Sequence, residues 1–262
     1  MPETFLIALL AVAGLMVTTW VISLVRRDAS IVDIAWGLGF VVVAWATFAT
    51  GDGYETRALL VTAMVTAWGL RLAGYLAWRN LGKGEDFRYR RMRAQYGARV
   101  PIVSLFTVFG LQGVLMLVIS LPVQAANSAG TPAHLTALDW LGLAVWLVGV
   151  AFEGVADIQL ARFKANPANA GAVMDRGLWK YSRHPNYFGD ALAWWGVFLL
   201  AASNTGSWWV VVSPIVMTIL LTRVSGVPLL EKSLVKRRPG YAEYVARTSS
   251  FIPRPPRKPR SA

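Results

Sequence analysis

The sequence contains no cysteine and only two histidines among its 262 residues. The absence of cysteine excludes disulfides, thiolate nucleophiles and cysteine-ligated metal sites. The two histidines, His134 and His184, lie far apart, and no spacing of histidine with acidic residues matches a zinc site. We therefore expect no metal centre.

Acidic residues are also few, with 14 Asp and Glu against 26 Lys and Arg, which gives a net charge of +12. Such a surplus can indicate a nucleic-acid partner. However, 55% of the residues are hydrophobic and they form long runs, which is the composition of a polytopic membrane protein. We therefore expect membrane lipids, and not nucleic acid, as partners.

Seven apolar runs are long enough to cross a bilayer, since a spanning helix needs about 20 residues. They cover residues 4–25, 31–50, 58–78, 103–124, 138–159, 187–203 and 208–224. The first run is too long for a signal-peptide core and has no basic start, so we interpret it as a retained span. The sequence thus predicts an all-α, polytopic membrane protein with seven transmembrane helices.

The basic residues indicate an orientation. Of the 26, 24 lie in the connections after spans one, three and five or in the tail from residue 223 onward. The positive-inside rule then places the N-terminus outside and the C-terminus in the cytoplasm. For the tail RPPRKPRSA, attraction to anionic lipids explains the charge equally well.

Ionisable residues within spans are costly and usually face a cavity, a partner or a site. Five such residues lie in or at the rim of the predicted spans: Asp33, Arg71, Glu153, Asp157 and Asp190. Asp33 would cap span two, pair structurally with Arg71 or belong to a site. Glu153 and Asp157 share one helix face, where they face a ligand or are neutralised by the basic residues that follow. Among the tryptophans, Trp36 and Trp68 lie deep enough to line a cavity, whereas others form interfacial belts.

Three polar patches, at residues 79–97, 156–190 and 229–253, lie on the predicted cytoplasmic side. None contains a P-loop or a dinucleotide-binding glycine motif. Their cations, amides and tyrosines suit a large anionic cofactor. In WKYSRHPNYFGD (179–190), Pro185 can start a helix whose positive end faces an anion. The alternative is a basic turn that docks on lipid headgroups.

The stretch DRGLWKYSRHPNYFGDALAWWG resembles the C-terminal signature of the membrane steroid 5α-reductase family and its bacterial relatives. The same block is similar to one in the isoprenylcysteine carboxyl methyltransferases. Two further stretches, RDASIVDIAWGLGF (27–40) and WGLRLAGYLAWRNLGKGEDFRYRRMRAQYG (68–97), resemble the reductase branch.

This resemblance implies an NADPH-dependent reductase that transfers a hydride to the enone β-carbon of a flat lipid, a 3-oxo-Δ4-steroid in type. It implies a lipid cavity within spans one to four (residues 1–126), a cofactor-binding half (127–253) and a basic tail (254–262). We expect a monomer of the bacterial inner membrane, with its cofactor site facing the cytoplasm and its substrate entering from the bilayer.

The resemblance also implies site residues. The cofactor-binding positions lie near the cytoplasmic ends of the spans: Asn80, Glu85, Asp86, Arg88, Tyr89, Asp157, Arg162, Lys164, Asn166, Tyr181, Arg183, His184, Asn186, Tyr187, Arg223, Glu231, Tyr241 and Tyr244. Animal members carry a Gln–Glu pair in span two and a Tyr in span three near the steroid ketone, where this chain reads VDIAWG and AWGLRL. Asp33 and Arg71 are the expected catalytic substitutes, since a protonated Asp33 would donate a hydrogen bond to the carbonyl.

Two other functions fit parts of the pattern. An S-adenosylmethionine-dependent methyltransferase would use the same block at 180–190. NADPH carries a pyrophosphate and a 2′-phosphate, however, so the many cations at 79–97 and 162–183 favour the dinucleotide. A non-enzymatic lipid-binding or transport protein would place polar residues along a path through the membrane, whereas here they concentrate at the cytoplasmic ends.

Overall fold

The computed structural model describes residues 2–224, 226–227, 231, 234 and 238–257. Within these residues every regular element is helical, and the one isolated β-bridge joins Ser182 to Ser249. The helices are α1 (Pro2–Arg26), α2 (Ile31–Thr50), α3 (Glu55–Asn80), α4 (Phe87–Tyr96), α5 (Val100–Ser104), α6 (Leu111–Ile119), α7 (Leu121–Ser128), α8 (Ala137–Ala165), α9 (Pro185–Ala201), α10 (Val212–Ile219) and α11 (Tyr241–Arg247). The predicted all-α class is confirmed.

Six helical segments of the described chain are long and apolar enough to cross a membrane. They are Pro2–Arg26, Ile31–Thr50, Glu55–Asn80, Phe87–Ile119, Ala137–Ala165 and Thr205–Val224. They coincide with predicted spans one to five and seven, and they support an integral membrane protein. The sixth predicted span coincides with α9, which has 17 residues and is therefore roughly 26 Å long. As predicted, α9 begins at Pro185.

The predicted fourth span, residues 103–124, is irregular. A π-helical turn at Leu105–Gly110 precedes α6, and the helix is interrupted at Ser120, where α6 ends and α7 begins. Pro122 explains the interruption, because proline fits the first turn of a helix but not its interior. The Ser120 hydroxyl donates to the Leu117 carbonyl at 3.1 Å, which satisfies one of the last acceptors of α6.

The chain divides into two compact units. The first is Met1–Trp140 with Val197–Ser213, and the second is Leu141–Gly196 with Pro214–Ala262. The functional halves predicted from the sequence, 1–126 and 127–253, remain a prediction.

Two features organise the first unit. Helices α2 and α3 touch at Gly37 and Gly69, where a Cβ atom on Gly37 would lie 2.5 Å from the Gly69 carbonyl oxygen. At the end of α3 far from Gly69, Arg57 forms a fully buried ion pair with Asp139 at the start of α8, at 2.8 Å. The Arg57 guanidinium also donates to the Pro132 and His134 carbonyls at 3.1 and 2.8 Å. Arg57 has no other basic residue near it in the sequence. Its side chain joins the start of α3 to the segment that leads into α8.

The second unit is built on a close contact between α8 and α9. A Cβ atom on Gly149 would lie 2.5 Å from the backbone nitrogen of Ala193, and one on Gly189 would lie 2.5 Å from that of Glu153. Only glycine allows two helix backbones to approach so closely. The contact places the acidic stretch of α8, which carries Glu153 and Asp157, beside the first turns of α9.

Candidate functional site

The signature segment, residues 177–190, is anchored to α8 through its first turn. The backbone N–H of Leu178 donates to Gln159 Oε1 at 3.0 Å, and the indole N–H of Trp179 donates to the Ala156 carbonyl at 3.0 Å. Gly177 has a φ of +57°, a conformation that favours glycine. The segment thus has a defined conformation before α9 begins.

The C-terminal segment, residues 248–257, runs along the signature segment. Arg183 N donates to the Ser249 carbonyl at 2.8 Å, and Arg254 N donates to the Tyr181 carbonyl at 2.9 Å. The Ser182 hydroxyl donates to the Phe251 carbonyl at 2.8 Å. Backbone groups from two distant parts of the chain therefore pair with each other, and together they form one wall of the second unit.

Glu231 lies at the centre of this wall. Its carboxylate accepts from Arg183 at 2.7 and 3.2 Å, and its Oε1 lies 3.0 Å from His184 Nε2. Partial burial opposes its ionisation, but the hydrogen bonds from His184 and Arg183 outweigh this and lower the pKa of Glu231 to about 2. Arg183 Nη1 also donates to the carbonyls of Val245, at 3.1 Å, and Thr248, at 2.5 Å. The Arg183 guanidinium is thus bonded mainly to protein acceptors.

Two tyrosines of α11 complete the wall. The Tyr244 hydroxyl donates to the Trp179 carbonyl and approaches the Ser182 carbonyl at 3.3 Å. Burial raises the pKa of Tyr241 to about 12 and also raises that of Tyr244. Both therefore remain neutral phenols at physiological pH, and Tyr244 acts as a tie between α11 and the signature segment.

The first turns of α9 face the acidic stretch of α8. Asn186 Nδ2 donates to Asp157 Oδ1 at 3.2 Å, and Glu153, Asp157 and Asp190 are all buried. The Tyr187 ring stacks on His184, with centroids 5.4 Å apart and an angle of 4° between the planes. Burying so many polar side chains next to membrane-spanning helices costs free energy, and such clusters usually mark a functional site.

The remaining predicted residues of the second unit are more open. Arg162, Lys164, Tyr181 and Arg223 are exposed, and so are Arg176 and Lys180. Asn166, also exposed, caps the turn after α8 by accepting from Ala168 N at 3.0 Å. Residues 229–237, apart from Glu231 and Leu234, and residues 258–262 lie outside the described residues.

A second polar cluster lies in the first unit, at the start of α2. Asp33 Oδ2 accepts from Arg88 Nη2 at 2.8 Å, and Asp33 Oδ1 accepts from the Tyr89 hydroxyl at 3.1 Å. Arg88 Nε also donates to Asp86 at 2.9 Å. The cluster joins the first turn of α4 to the start of α2.

Glu85 reinforces this joint. Its carboxylate accepts from the backbone N–H of Ala29 at 2.9 Å and from Arg93 at 2.8 and 3.1 Å. The Asp86 backbone N–H donates to the Ser30 hydroxyl at 3.2 Å. Glu85 and Asp86, both predicted to bind the cofactor, thus hold the connection in place.

The sequence suggested Arg71 as the partner of Asp33, and the structure shows Arg88 and Tyr89 bonded to it. Asn80 accepts from its neighbour Arg79 at 3.1 Å. Trp68 is buried and packs edge-on against Phe40, with centroids 5.5 Å apart, and Phe40 packs in the same way against Trp36 at 5.2 Å. Trp68 therefore belongs to a packed aromatic core between α2 and α3.

Several residues that shape these clusters were not predicted from the sequence. Gln159, Ser182 and Ser30 act through backbone groups far away in the chain, and such polar residues occur in any loop. Three others were missed as well: Asp28 accepts from Ser30 N, Arg93 donates to the Glu85 carboxylate, and the Thr248 carbonyl accepts from Arg183. These residues could be predicted only if it were known which segments of the chain contact one another.

Comparison with known proteins places the chain in a family without assigning an activity. The chain is 25% identical to an uncharacterized protein of Schizosaccharomyces pombe, over 90% of this chain and 75% of the relative. No solved structure matches it. The model of the family described as "Protein of unknown function (DUF1295)" matches residues 19–248. The chain therefore belongs to the DUF1295 family.

Proposed function

We propose that this protein is an NADPH-dependent reductase of an activated C=C bond in a lipid, of the steroid 5α-reductase type. The observation that carries the proposal is the largely buried polar frame at the start of α9, in which Arg183 and His184 both bond to Glu231 and Asn186 bonds to Asp157. This frame coincides with the stretch that resembles the reductase signature.

The chain offers suitable groups for the cofactor. Arg162 and Lys164 lie in the last turn of α8, and Asn166 follows directly after it. All three are exposed, and they would hold phosphate groups through charge and amide contacts. Arg176 and Lys180 add positive charge in the same unit. The buried frame would keep the signature segment rigid behind these exposed cations.

The chemistry requires a hydrogen-bond donor at the carbonyl oxygen of the enone, where negative charge develops. When bound, NADPH supplies the hydride. Both oxygens of Asp33 accept hydrogen bonds, one of them from a guanidinium, which is the geometry of a carboxylate. Asp33 would therefore orient the Tyr89 hydroxyl. To donate to the substrate carbonyl, this hydroxyl would give up its hydrogen bond to Asp33, and Arg88 would still neutralise the Asp33 carboxylate. Arg71 is the second candidate donor.

This mechanism predicts separate effects on rate and binding. Asp33→Asn and Tyr89→Phe should each lower the rate of reduction of a 3-oxo-Δ4-steroid by at least about tenfold, since one preorganised donor is typically worth more than that. The stabilisation by NADPH should remain, because this mechanism gives Tyr89 a role at the substrate carbonyl in place of the cofactor contact that the resemblance implies. Unchanged rates in both variants would exclude the cluster from the chemistry.

The proposal includes a topology. Seven spans, with α9 as the sixth, would place the N-terminus outside and the C-terminus in the cytoplasm of a bacterial inner membrane. The basic connections after α3 and α8 would then share the cytoplasmic side with the cofactor. The lipid substrate would enter from the bilayer, and the protein would work as a monomer.

A methyltransferase remains the second candidate because of one observation. The donors of Arg183 and His184 are bonded to Glu231 and to backbone carbonyls, so the signature segment offers fewer free cations than its sequence suggests. A sulfonium cofactor carries no phosphate and needs fewer cations.

Ligand-induced stabilisation tests the proposal. The purified protein in lipid nanodiscs is heated with NADPH, NADH or S-adenosylmethionine, and the unfolding temperatures are compared. NADPH at about 100 times its Kd should stabilise the protein by about 2.7 kcal/mol. The double variant Arg162→Gln/Lys164→Gln should weaken this effect, whereas Arg26→Gln, at an exposed arginine outside the predicted site, should not. Stabilisation by S-adenosylmethionine and not by NADPH would refute the reductase.

A further inference from the structure

Three buried polar side chains near the C-terminal end of α2 each have an oxygen that finds no hydrogen-bond donor among the described residues. The atoms are Thr62 Oγ1, Gln124 Oε1 and Asn127 Oδ1. The residues are 0%, 0% and 1% exposed. Buried acceptors are almost always paired in folded proteins, so three unpaired ones in one unit call for a ligand or an ordered water.

The amide orientations follow from the partners of the nitrogen atoms. Asn127 Nδ2 donates to the Ala44 carbonyl at 3.1 Å and to Thr47 Oγ1 at 2.8 Å. Gln124 Nε2 donates to Ser120 Oγ at 2.9 Å and to the Leu117 carbonyl at 3.3 Å. With both amide nitrogens engaged, both oxygens are left as acceptors. Gln124 and Asn127 are three residues apart on α7, so they lie on the same face.

The register of α2 and α3 places Thr62 at the same level. The Trp45 indole donates to Thr66 Oγ1 at 3.1 Å, and the two helices are antiparallel. Thr62, one turn before Thr66, is therefore level with the last turn of α2, where Thr47 meets Asn127. The backbone N–H of Gly53, just before α3, donates to the Asn127 carbonyl at 2.9 Å.

The three oxygens define the chemistry of what they would bind. Two of them are amide oxygens, which only accept, and the third is a hydroxyl, which also donates. All three are neutral, so they suit a neutral group that carries a hydrogen-bond donor. Besides Thr47 and Thr62, the buried side chains at this level of α2 and α3 include apolar ones such as Val43 and Val61. Val42 and Leu59, at similar levels of the two helices, are 40% and 47% exposed, as expected for side chains in contact with lipid.

We propose that Thr62, Gln124 and Asn127 form a binding site for the hydroxyl group of a lipid alcohol that enters from the bilayer. The site belongs to the first unit and is separate from the Asp33 cluster, which lies at the opposite end of α2. The hydroxyl hydrogen bonds to one of the three oxygens, and the alkyl chain lies among apolar side chains of α2 and α3. An ordered water molecule would donate hydrogen bonds to the same oxygens but has no alkyl chain to bind among the apolar side chains.

The test compares two probes with the same alkyl chain, of which only one has a hydroxyl donor. The intact protein in nanodiscs is heated with 1-dodecanol or its methyl ether at equal mole fractions in the bilayer. The alcohol should raise the unfolding temperature and the ether should not. Thr62→Val, which conserves shape, should weaken the apparent affinity for the alcohol about threefold to tenfold. Thr19→Val should leave it unchanged, because the Thr19 hydroxyl already donates to the Leu15 carbonyl at 2.7 Å.

Two results would overturn the proposal. Equal shifts with the alcohol and the ether would show that only the alkyl chain binds. No shift with either probe would show that a buried water alone satisfies the three oxygens. Stabilisation by NADPH, measured on the same samples, reports on the reductase separately, so either proposal can fail without the other.

Discussion

At the scale of single residues, the wall of the second unit depends on one carboxylate. Glu231 accepts from Arg183 and lies beside His184, and these residues also bond to the C-terminal segment and to the first turn of α9. A residue that bonds to several segments at once has a larger effect on stability than its own contacts suggest.

Glu231 predicts a specific pH dependence. Because its folded-state pKa is lowered to about 2, its stabilising effect is present above its usual pKa and is lost as the pH falls from there toward 2. Glu231→Gln should therefore lower the unfolding temperature at pH 7, and the difference from the wild type should shrink in acid. Glu243→Gln, at an exposed position of α11, is the control. A difference that stayed constant from pH 7 to pH 3 would rule out this role.

The Arg57–Asp139 pair makes a second prediction at this scale. Both side chains are 0% exposed, so Asp139→Ala would leave a buried guanidinium without its counter-ion. Breaking such a pair costs about 3–5 kcal/mol, and the double variant Arg57→Met/Asp139→Ala should recover part of the loss. Denaturant unfolding measures both variants, with the exposed Asp52→Ala as control. A small effect of Asp139→Ala would mean that water reaches the pair.

At the scale of elements, glycine contacts set how closely helices pack. Gly37 and Gly69 bring α2 and α3 together, and Gly149 and Gly189 do the same for α8 and α9. The second contact also positions Asp157 near Asn186. Helix packing and the polar frame are therefore linked in this unit.

A pair of alanine substitutions tests this link. In Gly189→Ala the new Cβ would lie 2.5 Å from backbone atoms of α8, so the helices must separate, and we expect a loss of about 1–3 kcal/mol. The control is Gly154→Ala on α8, where a Cβ would meet nothing within 4 Å. This change should be neutral or stabilising by up to about 1 kcal/mol. Thermal unfolding in nanodiscs distinguishes them, and equal losses would contradict the packing argument.

The elements were largely predictable from the sequence, whereas their partners were not. The predicted second span, 31–50, has the same limits as α2, because a mainly apolar run, with Asp33 near its start, is flanked by the polar segments at 27–30 and 51–55. Pro185 indicated the start of α9. By contrast, the partners of Asp33 lie 55 and 56 residues away, and hydropathy carries no information about such pairs. The fourth span was predicted as one helix, because a single Pro122 in an apolar run does not show whether the helix bends or breaks.

At the scale of the whole molecule, the distribution of charge predicts which connections face the cytoplasm. The connection after α3 is strongly basic, and the one between α2 and α3 is not. Since the chain has no cysteine, single cysteines can be introduced and labelled without background.

Labelling of single-cysteine variants tests the orientation. A membrane-impermeant maleimide applied to intact cells should label Asp52→Cys, between α2 and α3, and should not label Lys83→Cys, after α3. Both positions are exposed. Permeabilised cells provide the control, in which both variants should react. The reverse pattern would invert the topology and place the basic connections outside.

The pairing of the C-terminal segment with the signature segment has a consequence for synthesis. Residues 181–183 bond to residues 249–254, which leave the ribosome much later. Until then the signature segment lacks these hydrogen bonds, although α1 to α8 have already been made and can enter the membrane. The pairing between the two segments is therefore among the last contacts that can form during synthesis, and a chain that ended before residue 248 would lack it.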